Sequence, residues 1–208
     1  MKSKKCYCAV LFVILVTLLT GCSLHDGDGK LLKNEDTHAI NQKDESDERT
    51  VEVNNLPWHT LIVPQDGKKK LSIDVPFDFE THKKYELSEI KNADSYAHKG
   101  KTCVVTVSHG EFVHPEKKID FSMDDFKTTV KGVKNRKLIK KTKNNVNGDE
   151  MTYLSCVGNT EKDDRLCQME FVGIRHDNEF WLVSFVYLAS DGDMDLITNR
   201  SIASIKIQ

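Results

Sequence analysis

The run EFWLVSFVYL, Glu179 to Leu188, is apolar at nearly every position. A strand wetted on one face alternates polar and apolar side chains, so this run predicts a strand covered on both sides, near the centre of a sheet. A chain that contains it must supply a covering layer for each face. Two further strands precede it, Glu150 to Val157 and Arg165 to Ile174. Earlier still, Trp58 to Val63 and Leu71 to Val75 form a hairpin around PQDGKKK, with Pro64 and Gly67 as breakers and Pro76 stopping the second strand.

Tyr85 to Ala97 and Lys101 to Phe112 form a longer strand pair around Gly100. In the second, Cys103, Val105 and Val107 share one face, and Thr102, Val104 and Thr106 the other. Ser122 is a suitable N-cap for a helix over Met123 to Val133: Asp124 and Asp125 complement its positive end, and Phe126, Val130 and Val133 give it an apolar stripe. Ser190 caps a second helix that begins Asp191-Gly192-Asp193 and runs through Ile197 and Ile202 into SIKIQ. The fold class is α+β, an antiparallel sheet flanked by helices.

The N-terminus is of a different kind. Lys2, Lys4 and Lys5 precede an apolar run from Ala9 to Leu19, too short for an ordinary membrane-spanning helix and shaped like a secretory signal. It ends in Leu19-Thr20-Gly21-Cys22, which resembles the bacterial lipobox, where small residues before a cysteine admit the lipid-modifying enzyme and its signal peptidase. By that resemblance residues 1–21 are a lipoprotein signal peptide, and the mature chain starts at Cys22, which carries a thioether-linked diacylglycerol and an amide-linked acyl chain. Two or three acyl chains, each buried CH2 contributing about 0.8 kcal/mol, hold a protein on a membrane stably. Cys6 and Cys8 leave with the signal.

Ser23 to Thr50 contains no aromatic residue and mixes charges with small polar side chains. It cannot bury enough apolar surface to offset its ordering entropy, so residues 22–50 read as the lipidated cysteine and a disordered tether, with a flexible reach of about 30 Å. Residues 51–208 then form one globular domain with room for a core. Basic and acidic residues number 30 and 32 in the whole chain, and this near balance argues against a nucleic-acid partner.

The segments LSIDVPFDFE, FSMDDFKTTV, MTYLSC, CQMEFVG, EFWLVSFVY and ITNRSIASIKI, in this order, resemble the PsbP-like domain. That domain is named for an extrinsic photosystem II subunit and is found also in a Ran-binding nuclear protein and in small bacterial lipoproteins of the DcrB type. The resemblance spans most of Leu61 to Gln208 and implies an α/β/α sandwich. It rests on element order and apolar spacing, without a catalytic motif. Relatives of this kind mostly bind or assemble, which implies a binding role rather than an enzyme, and a shared fold implies no shared reaction.

Cys156 and Cys167 are the strongest local signal. If they face each other across their two strands, Leu154 falls opposite Met169 and Thr152 opposite Phe171, a consistent core face, and the pair is either a disulfide or two buried free thiols. Cys103 reads as a small core residue. His109, Glu111 and His114 in HGEFVH bring nitrogen and oxygen ligands close together, but not at the helical zinc-protease spacing, so loop histidines are the simpler reading and no metal is expected. DGDMD, Asp191 to Asp195, starts like a calcium loop, yet Leu196 stands where glycine is required and Ile202 where a bidentate glutamate is required.

KGVKNRKLIKKTK contains Lys131, Lys134, Arg136, Lys137, Lys140, Lys141 and Lys143 and no acid. It reads first as an edge strand that lysines protect from aggregation, and otherwise as a patch for anionic lipid, teichoic acid or an acidic partner. There is no glycine-rich phosphate loop, serine nucleophile elbow or CxxC pair. The expectation is a non-enzymatic, cofactor-free binding or adaptor lipoprotein of the cell envelope. It would lie outside the cytoplasm on the outer membrane of a diderm, or on the outer face of a monoderm's cell membrane. The alternative is a small-ligand or metal carrier serving a transporter, with His109, Glu111 and His114 as ligands. A hydrolase assembled from distant segments is a third reading.

Overall fold

The structure, a computed structural model, describes residues 49–65, 69–85, 90–114, 130, 132–146 and 148–208. The signal, Cys22, nearly all of the tether, Gly67, Lys131 and the segment Ser122 to Phe126 lie outside the described residues. Helix α1 covers residues 49–54, so regular structure starts just before the domain boundary expected at residue 51. Ten strands follow among the described residues: β1 His59–Val63, β2 Leu71–Val75, β3 Thr81–Tyr85, β4 Ile90–Lys99, β5 Cys103–Phe112, β6 Val133–Val146, β7 Asp149–Thr160, β8 Leu166–His176, β9 Glu179–Leu188 and β10 Lys206–Ile207. Helix α2, Gly192–Ser204, separates the last two.

Seven strands form one sheet in the order β3-β4-β5-β9-β8-β7-β6, and β1-β2-β10 form a smaller one. Every pairing in both is antiparallel. Strand β9 is the middle strand of the seven, and all but its first residue are buried, as its unbroken apolar character demands. On one face Val105, Val107, Val172, Trp181, Val183 and Phe185 pack against β2, α1 and α2 through Leu71, Ile73, Val75, Val53, Met194 and Ile197. The Trp181 indole N–H donates to the Val63 carbonyl at 2.9 Å, fastening the small sheet to the large one. The opposite face gathers Phe112, Leu154, Cys156, Cys167, Met169, Phe171, Phe180, Leu182 and Val130.

Several sequence expectations need correction. Asp191, rather than Ser190, caps α2: its side chain accepts from the Met194 N–H. Val133 does not end a helix. Gly132, at φ +80°, turns the chain into β6, which Val133 opens. Residues 81–85 form a strand although THKKY has no apolar alternation; it is held by pairing with β4. Cys156 lies opposite Met169, and Cys167 opposite Gly158. Both cysteines are buried, and neither forms a disulfide. The offset of two positions places the cysteines diagonally, where Cα atoms are about 7–8 Å apart and beyond easy bridging.

Candidate functional site

Strand β6 is 14 residues long and lies at the end of the seven-stranded order, whereas β3 at the opposite end has 5. Its inner edge pairs with β7; its outer edge has no strand partner among the described residues. Side chains on a strand share a face with their register partners, which divides the basic run in two. Lys137 and Lys140 stand with Val157 and Ser155 on the side of Tyr153, whereas Lys141 and Lys143 stand with Leu154 and Thr152 on the opposite side. The expected single patch is therefore a two-faced ribbon. Lys134 forms an ion pair with Asp164 at 3.0 Å, and the Arg136 guanidinium donates to the Val130 carbonyl.

Two register shifts interrupt β6, between Lys134 and Lys137 and between Leu138 and Lys140. Ile139 is the extra residue of the second, and the bulge leaves Ile139 57% and Leu138 39% exposed. From Lys140 to Val146 pairing with β7 is uninterrupted, ending where Val146 meets Asp149 and Gly148, at φ +89°, makes the turn. Leu138 and Ile139 were not singled out in the sequence. The signal that would have found them is a Leu-Ile pair set between lysines in RKLIKK, where a purely protective edge has no use for apolar side chains.

Beneath one face of the ribbon lies a polar network. The Lys140 ammonium stands 5.8 Å from the Tyr153 ring centroid. Buried Glu170 accepts from the Ser155 hydroxyl at 2.9 Å and from the Gln168 amide at 2.5 Å. Burial raises the Tyr153 hydroxyl well above the ordinary tyrosine value, and the hydrogen bond and charge of Glu170 add to it. Farther along, the Tyr187 hydroxyl donates to Asp195 at 3.2 Å. A cleft of about 390 Å³ opens there, lined by Arg49, Gln168, Tyr187, Gly192, Asp195 and Leu196 among others. Arg49 falls in the part of the chain that reads as tether, which is why this cleft had no sequence signal.

His109, Glu111 and His114 do not converge. His109 is 2% exposed, its ring 5.2 Å from that of Trp181 and its Nε2 3.5 Å from the Glu179 carboxylate. Burial holds its pKa below the ordinary histidine value, against the opposing influence of Glu179, Glu111 and Asp94. Glu111 instead accepts from Asn92 at 2.7 Å and pairs with Lys91 at 3.4 Å. Burial acts to raise its carboxyl, and these two partners outweigh it, leaving the pKa below the usual value. His114 is exposed. Among the described residues, no group of three or more His, Cys, Asp or Glu side chains is placed to hold a metal ion.

The thiols of Cys103, Cys156 and Cys167 are buried, and their surroundings favour the protonated form. Burial, with Glu170 adding to it, pushes Cys156 up to about 12, and burial with Asp191 pushes Cys103 up to about 11. Burial raises Cys167 as well.

No protein-family model and no curated protein matches the chain. Among solved structures, cyanobacterial PsbP (CyanoP) from Synechocystis sp. PCC 6803 superposes with a TM-score of 0.50 at 9% identity, covering 73% of this chain and 93% of that one. LpqN of Mycobacterium tuberculosis, described as involved in cell envelope biogenesis, gives 0.42 at 10% identity over 76% of this chain and 95% of its own. PA94 of Pseudomonas aeruginosa gives 0.36 at 10% identity over 70% and 94%. The match to CyanoP, together with the antiparallel sheets and two described helices, defines a PsbP-like α+β fold. Among the described residues no helix is long and apolar enough to cross a membrane.

Proposed function

We propose that this chain is a non-enzymatic binding module of the bacterial cell envelope, lipidated at Cys22, tethered outside the cytoplasm, and engaging a protein or envelope partner through β6. The observation that carries this reading is β6 itself: an acid-free edge strand of 14 residues, lined with cations on both faces and exposing Leu138 and Ile139. Lysines alone would serve as protection against edge pairing. An exposed apolar pair in their midst favours contact with a partner. The sequence of basic residues, apolar run, Leu19-Thr20-Gly21 and Cys22 supports the anchor, and the tether supplies reach.

Cross-linking in intact cells, followed by mass spectrometry of the captured proteins, tests the proposal when compared with a Cys22→Ala form. One dominant envelope partner, captured only by the anchored form and through lysines of β6, is the expected result. An identical capture list for both forms contradicts it. The cleft beside Tyr187 favours a second reading, carriage of a small ligand for a transporter. Native mass spectrometry of the full chain tests that reading, because a carrier retains a stoichiometric small molecule.

A further inference from the structure

The regular half of β6 is shaped to accept a particular kind of partner. Lys140 to Val146 pairs with β7 without interruption, and among the described residues no strand pairs with the outer edge of the same segment, whose backbone groups run in an even row. The segment contains Lys140, Lys141 and Lys143 and no acid, with Lys140 on one face of the sheet and Lys141 and Lys143 on the other. A flat anionic surface meets one face of such a ribbon at a time. An extended chain lying alongside it meets both, because its own side chains alternate in the same way. At the Lys140 end the bulge exposes Leu138 and Ile139, an apolar stop for the end of an added strand.

A second copy of this chain is a poor occupant. Pairing β6 with β6 would bring two lysine-rich, acid-free strands together, and like charges near each other destabilise a ladder. The opposite edge of the sheet offers no equal site: β3 has 5 residues. We infer that β6 binds an acidic extended segment of a partner protein by strand addition along Lys140 to Val146, with an apolar residue of that segment seated on Leu138 and Ile139. Backbone hydrogen bonds would supply attraction, and the lysines on the two faces the choice of sequence. This inference rests on the binding-module reading above and names the class of partner that the module takes.

The test uses the full chain and a fluorescein-labelled peptide of alternating glutamate and threonine with leucine at one end. A companion peptide of equal charge has proline at two interior positions, which removes ladder donors. Phosphatidylglycerol vesicles and inorganic polyphosphate complete the panel. The expected result is saturable binding of the first peptide, at least tenfold weaker binding of the proline peptide, and slowed amide exchange confined to β6. Lys140→Glu with Lys143→Glu should weaken binding at least tenfold and leave the melting temperature unchanged; Lys140→Ala with Lys143→Ala keeps the test valid should the reversal disturb folding.

Equal binding of the two peptides, or no binding, overturns strand addition. Tighter binding to vesicles or polyphosphate without exchange protection also overturns it, in favour of a phosphate-bearing polymer or surface. Each of these outcomes leaves the anchored binding module standing if cells still yield an anchor-dependent partner cross-linked through β6. Absence of that partner removes the module reading itself.

Discussion

Strands β9 and β6 belong to one sheet yet are built in opposite ways. β9, in the middle of the order, buries Phe180, Trp181, Leu182, Val183 and Phe185 almost completely and carries its one charge, Glu179, at its first position. β6, at the edge, exposes nearly every side chain it has and contains six cations. Burial on both faces leaves β9 free to do nothing but hold the layers together, and its substitutions act on stability. Exposure leaves β6 little to contribute to the core beyond Val133, and its substitutions act on association. The binding role proposed above rests on the edge strand, not on the centre.

The sharpest way to test the division is to damage the centre. Trp181→Ala removes a fully buried indole and its bond to Val63, and the expected loss is about 3–5 kcal/mol in urea unfolding, enough to unfold a marginal domain. A loss below about 1 kcal/mol would mean that the small sheet is held by something else. At the seam between β7 and β6, a Cβ on Gly158 would stand 2.5 Å from the Val133 side chain and 2.9 Å from the Lys134 carbonyl. Gly158→Ala should therefore cost about 1–3 kcal/mol and speed amide exchange in β6 before β9.

His109 sits against the centre, and its pH dependence has a definite sign. The unfolded chain takes up a proton at His109 near pH 6.5, whereas burial keeps the folded ring neutral to lower pH. The unfolded state then binds more protons as pH falls below about 6.5, so this contribution to stability is present above that value and declines below it. Thermal melts of the parent between pH 7.5 and 5 should show a steeper decline than those of His109→Gln; parallel declines would contradict the assignment. The smallest expected effect is at the edge. Lys137→Glu with Lys140→Glu should change stability by no more than about 0.5 kcal/mol in the same urea assay while partner capture is lost.

How far each region could be read from sequence follows the same contrast. β9 was plain because an unbroken apolar run has one explanation, and β1, β2 and the closing helix followed from breakers and caps in PQDGKKK and SDGDMD. β3 was not, because nothing in THKKY alternates and its place depends on β4. Of the two readings left open for Cys156 and Cys167, the buried thiols hold, because the facing register a disulfide needs is not the observed one. A shift of two positions keeps every side chain on its own face, so apolar alternation fits the observed register, with Leu154 opposite Phe171, as well as the expected one. The bulge at Ile139 had no signature beyond its apolar neighbours. The burial of His109 came from β5 pairing with β9, a contact between segments far apart in the chain.

The comparison of the two sheet edges tests the central claim most directly. A photo-cross-linking residue placed at Ile139 on β6, or at Lys83 on β3, reports from intact cells what each edge touches. The account predicts one strong adduct from position 139, lost in the Cys22→Ala form, and none of comparable yield from position 83. Equal adducts from both edges, or none from position 139, would contradict it.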